Sequence, residues 1–176
     1  MPEEVSRCSR RSYYRASTVG VDLPRVECWP LLDPTTVGAA EVANEAFARD
    51  LARYQREPVG PPPTQPQLLP MVGPRFEANL VNLSGGGLGL TVDSSESSGL
   101  DRLRHLWLRV SLGEESFAPL AFTGRVVHSH IDSMQQVHLG VAFEFGFNPA
   151  HRDFVISQVC GVVARMLESQ GKSEAA

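Results

Sequence analysis

Two short runs carry side chains suited to gripping a compact molecule rich in hydrogen-bond acceptors. The first is Arg11-Ser-Tyr-Tyr-Arg15, two arginines four positions apart with Arg10 beside them. The second is Asn82-Leu-Ser84-Gly-Gly-Gly87. A guanidinium fork matches two acceptors at once, either phosphate oxygens or O6 and N7 of a guanine. A good guanine pair of this kind discriminates by roughly 1–3 kcal/mol. The Asn82 amide oxygen can accept from a ligand N–H, and the Ser84 hydroxyl can donate or accept. Gly86 and Gly87 would let backbone N–H groups come close with no Cβ in the way. Each run alone has a plainer account: most arginine pairs are solvated, and a glycine-rich NxSxxG is more often just a tight strand connection.

The charge distribution narrows the ligand class. The formal net charge is -4, yet Arg7, Arg10, Arg11 and Arg15 crowd the first sixteen residues and Arg25 follows. A basic arm on an acidic body suits a small anion better than a nucleic acid polymer, whose partners are usually basic overall. The hydrophobic fraction of 42% over 176 residues supports a real core in one domain, or one domain with an embellishment. Cys8, Cys28 and Cys160 are scattered, odd in number and lack CxxC spacing, which argues against a disulfide framework and for a reducing compartment. No apolar run is long enough to span a membrane, and the N-terminal MPEEVSRCSRRSYY has no apolar signal core. A cytoplasmic location is the expectation.

The elements that must position these residues can be read from periodicity. Residues 1–20 read as a flexible arginine-rich arm. Strand-like text begins at Val21. Ala43, Phe47, Leu51 and Tyr54 then recur at helical spacing, and Asp33-Pro34 makes a plausible cap and first turn, so a helix is predicted at about 36–55. A proline-rich connector follows it. Alternation predicts strands through Phe76, Ala78 and Leu80, through LGLTV, through Leu106, Leu108, Val110 and Leu112, through Phe122 to Val127, and through Val137 to Phe145. About six short strands with turns between them suggest a small antiparallel barrel or sandwich. Asn148-Pro149 opens a last helix carrying Val155, Val159, Val162 and Met166, with Gly171 as its stop. That helix is expected to pack over a barrel mouth.

The RxxxR of Arg11–Arg15, just before the first strand, and the NxSxxG of Asn82–Gly87, joining two strands, together resemble the PilZ family, whose two motifs have these forms and this order. The run Leu139–Phe145, LGVAFEF, is similar to that family's last barrel strand. The resemblance covers residues 10–32 and 75–168. It implies a mainly β fold, a six-stranded antiparallel barrel with a C-terminal helix, and here an inserted helix after the first strand. The organisation it implies is an arm at 1–20, a barrel at 21–148 with helix and connector inserted at 33–74, and a C-terminal helix and tail at 149–176. It implies a bacterial, non-enzymatic receptor for cyclic di-GMP, with Arg10, Arg11, Arg15, Asn82, Ser84, Gly86 and Gly87 as the ligand-binding residues and no metal. Ligand binding would clamp the arm and signal to a downstream protein. A PilZ-fold adaptor that binds no nucleotide is the alternative, favoured by the inserted helix. This chain departs from the family in the long gap from Arg15 to Asn82, and in Asn82, where many members carry aspartate.

His128, His130 and His138 are close enough in sequence to meet across a hairpin, but no spacing matches a zinc pattern, and exposed strand histidines are the better account. Trp29 and Trp107 are expected in the core or an interface.

Overall fold

The computed structural model describes residues 14–15, 25–96, 99–111 and 118–174. Arg10, Arg11 and Leu112 lie outside the described residues, as does most of the 1–20 arm. The strands are β1 (Tyr14–Arg15), β2 (Arg25–Asp33), β3 (Met71–Val72), β4 (Phe76–Ser84), β5 (Gly87–Val92), β6 (His105–Val110), β7 (Leu120–Ile131) and β8 (Val137–Phe143). They pair antiparallel in the order β4-β5-β8-β7-β6-β2, and β2 pairs back onto β4. That last pairing closes the expected six-stranded barrel and leaves no free edge within it. β1 adds outside β4 and β3 outside β2.

Alternation sends one face of each strand inward. Leu88, Leu90 and Val92 of β5 are buried and the residues between them are only half-buried. With Leu80, Leu83, Leu106, Leu108, Phe122, Leu139 and Val141 they build the main core. The C-terminal helix, here α2 (Arg152–Glu174), adds Val155, Val159, Val162 and Val163 to it. Pro149 starts a short 3-10 turn as expected, but α2 runs through Gly171 rather than stopping there.

The inserted helix, α1 (Val37–Arg56), covers a second, smaller core on the outside of the barrel. Trp29 and Trp107 face each other across β2 and β6 and pack with Val37, Ala40 and Ala121. Trp107 is thus buried although it points out of the barrel, so β6 is covered on both faces and not half-buried. Asp33 accepts the Thr35 N–H at 3.0 Å and the Thr35 hydroxyl at 2.7 Å, which fixes the turn into α1 and holds its own carboxyl below the usual range. Pro58 follows the helix end and forbids its continuation.

The buried face of α1 corrects the expected stripe. Val37, Ala40, Glu41 and Asn44 are buried, whereas Ala43, Phe47, Leu51 and Tyr54 are only half-buried. The reason is polar. Asn44 donates to Pro119 O at 2.7 Å and accepts from Ala121 N at 3.2 Å, so its amide takes the place of a strand neighbour at the start of β7. The proline-rich connector also contains β3, which alternation did not reveal.

Among the cysteines Cys28 is free, and burial pushes its thiol up, away from reactivity. Among the described residues, no helix is long and apolar enough to cross a membrane.

Candidate functional site

The Asn82–Gly87 run forms the tight hairpin between β4 and β5, with Ser84 paired to Gly87. Ser84 is buried and braces the turn. Its hydroxyl donates to Gly87 O and accepts from Gly86 N, both at 3.3 Å. Gly86 O accepts from Phe143 N at 3.1 Å, which ties the turn to the end of β8. Gly87 is required by proximity, since a Cβ there would lie 2.2 Å from Val141 O. Gly86 is not: the nearest atom to its virtual Cβ is Ser84 Oγ at 4.0 Å.

Two β-bulges shape the outer face beside this turn. Leu80 pairs with Leu90 and Asn82 with Gly89, leaving Val81 as an extra residue in β4. Val126 pairs with Val141 and His128 with Gly140, leaving Val127 extra in β7. Each bulge resets the in–out alternation and sharpens the strand's twist. Leu80 and Leu83 therefore both reach the core, while Asn82 and His128 stand on the outer face.

One row then crosses five strands. Arg15 pairs with Asn82, Asn82 with Gly89, Gly89 with Gly140, and Gly140 with His128. At about 4.8 Å per strand, Asn82 and His128 start roughly 14 Å apart with two glycines between them. The result is a trough of about 450 Å³ with a glycine floor. Asn82, Ser84, Gly86 and Gly87 all line it. The structure thus brings these four expected residues together and sets the Arg15 backbone beside them.

The far end of the trough is lined by His130 and His138, whose rings stack with centroids 4.7 Å apart and planes 5° from parallel. His138 Nε2 lies 2.8 Å from Asp132 Oδ2. That hydrogen bond, helped by the Gln136 and Met134 N–H groups, holds the Asp132 carboxyl below its usual range. All three histidines line the trough, and His128 and His130 are exposed on their strand as expected. Among the described residues no group of three or more metal-ligating side chains could hold a metal ion. His128, Gly89 and Gly140 were not singled out together from the sequence. The signal was there in Gly89 and Gly140, because a glycine inside a strand often marks a close approach by something else.

The family model described as PilZ domain matches residues 50–158, more than half of the chain. The solved PilZ domain with c-di-GMP of YcgR from Escherichia coli is similar at 13% identity and a TM-score of 0.46, over 96% of this chain and 100% of that one. The structure of the Bacillus subtilis inhibitor of motility (MotI/DgrA) is similar at 14% identity and a TM-score of 0.40. That second match covers 53% of this chain and spans 43% of the other. No curated protein matches the chain.

Proposed function

Because the chain belongs to the PilZ domain family, we propose that it is a non-enzymatic receptor for cyclic di-GMP, and that the trough beside the Asn82–Gly87 turn is where the ligand binds. The observation that carries this reading is the register of β1 on β4. Arg15 pairs with Asn82, so the end of the RxxxR run lies alongside the NxSxxG run. Two motifs with 66 residues between them thereby share one edge of the trough, which at about 450 Å³ has the size of a small-molecule site.

In this reading Arg11 and Arg15, with Arg10, meet the phosphates and guanine edges from the β1 side. Asn82 accepts from a guanine N–H; its amide has no hydrogen-bond partner among the described residues. Ser84 spends its proton on the turn but keeps a free acceptor lone pair. Gly86 and Gly87 allow close approach of the backbone. Ligand binding fixes the arginine arm against the barrel, and arm plus ligand form the surface that a downstream protein reads.

The test is isothermal titration of the full chain with cyclic di-GMP. Saturable binding is expected, with R11A and R15A each weakening it strongly. No heat at high micromolar protein would sink the receptor reading. A pull-down that depends on residues 33–74 but not on added nucleotide would then support an adaptor. Incubation with cyclic di-GMP should yield no hydrolysis product.

A further inference from the structure

The two motifs account for one side of the trough. The other side is His128, and the floor between the two sides is cut to fit it. A Cβ on Gly140 would lie 2.0 Å from Cε1, 2.4 Å from Nδ1 and 2.6 Å from Nε2 of His128. The reactive edge of the imidazole therefore lies over the neighbouring strand, in space that only a glycine leaves open. On the motif side, a Cβ on Gly89 would lie 2.7 Å from Nδ2 and 2.9 Å from Oδ1 of Asn82. Gly89 and Gly140 are register partners. An amide and an imidazole thus reach toward each other from opposite sides of one glycine pair.

Burial does not explain this arrangement. His128 is exposed, and its ring makes no hydrogen bond or ring contact with another described residue. Its neighbours differ in this respect. His138 is engaged by Asp132, His130 stacks on His138, and Arg125 pairs with Glu144 at 3.5 Å. His128 and His130 both keep their ring nitrogens uncommitted among the described residues, and of the trough's three histidines His128 is the one with no ring contact either. A solvated strand histidine with nothing to bind has no need of a glycine in the adjoining strand. Nor does it need a bulge that turns it onto this face.

We propose that His128 is a ligand-contacting residue of this trough, donating an imidazole N–H to a guanine or phosphate acceptor of the bound dinucleotide from the side opposite the arginines. The inference rests on the cyclic di-GMP reading above. It places three hydrogen-bonding groups around the ligand: the arm guanidinium groups, the Asn82 amide and the His128 imidazole. Only the first two belong to the paired motifs.

The experiment compares the full wild-type chain with H128A by titration with cyclic di-GMP, and follows the histidine Cε1–H resonances of the wild type by NMR. H128A should bind roughly five- to fiftyfold more weakly, the range for loss of a hydrogen bond to a charged or guanine partner. The thermal melt should be unchanged, because the ring is exposed. In the wild type, saturating ligand should shift the His128 resonance, assigned by its absence from H128A. The His151 resonance should stay in place, since that ring is buried away from the trough. H128A binding within twofold of wild type, or a His128 resonance that does not move at saturation, overturns the proposal. If the wild type itself fails to bind, the receptor reading falls and this inference with it, which is a different result from wild-type-like binding by H128A.

Discussion

His151, in the turn before α2, shares a 2.7 Å hydrogen bond with Glu45 of α1. Its other nitrogen lies 2.8 Å from Ala121 O, and the ring is fully buried. A carbonyl only accepts, so Nε2 carries a proton. Nδ1 and the Glu45 carboxyl then share one more. The inserted helix, the start of β7 and the start of α2 are thus joined through a single imidazole. H151A removes the shared partner of the buried Ala121 carbonyl and the half-buried Glu45 carboxyl. It should cost about 2–3 kcal/mol in urea denaturation. Amide exchange should accelerate first in α1 and less in the barrel strands. Uniform acceleration everywhere would mean that α1 is not held by this contact.

Glu41 supplies a pH dependence. Its carboxyl is almost fully buried and accepts from Asn148 Nδ2 at 2.6 Å. Burial pushes it above the ordinary glutamate range, while His151 and the Asn148 amide pull it part of the way back. A carboxyl raised on folding holds its proton more tightly in the folded state. Its contribution is complete below the unfolded value and is lost as pH rises through the folded one. E41Q keeps an acceptor for Asn148 without the charge. E41Q should therefore melt above the wild type at pH 7 to 8, and the two should converge near pH 4. An E41Q melt below wild type at pH 8 would show that the carboxylate charge stabilises the fold through His151.

The six barrel strands and the Asn82–Gly87 turn were legible because alternation and turn chemistry are local properties. The buried face of α1 was not. Counting apolar residues selects Ala43, Phe47, Leu51 and Tyr54, but the winning face carries Asn44, whose value lies in two backbone groups 75 and 77 residues away. The trough was half legible. Asn82, Ser84 and Gly87 announce themselves by spacing. His128 does not, because its place opposite Asn82 depends on two bulges and three registers, and no single segment encodes that.

The glycines of the turn separate fold from ligand chemistry. A Cβ on Gly87 meets backbone, Val141 O at 2.2 Å and Ala142 Cα at 3.0 Å, and neither can yield without moving β8. G87A should cost about 3 kcal/mol by chemical denaturation. Gly86 has open space around it and no positive φ. G86A should stay within about 0.5 kcal/mol of wild type. Equal stability of the two variants would mean that β8 does not hold the turn as closely as the geometry requires.

Gly140 gives the complementary case. A Cβ there meets the far end of a flexible side chain, the imidazole of His128, before it meets any backbone atom. G140A should therefore leave the melt close to wild type while turning His128 off the trough floor. Cyclic di-GMP binding should fall by about the same factor as in H128A, and the double variant G140A/H128A should be no weaker than either alone. Additive losses would mean that the Cβ obstructs the ligand directly, and that the floor of the trough, rather than the reach of His128, is what Gly140 provides.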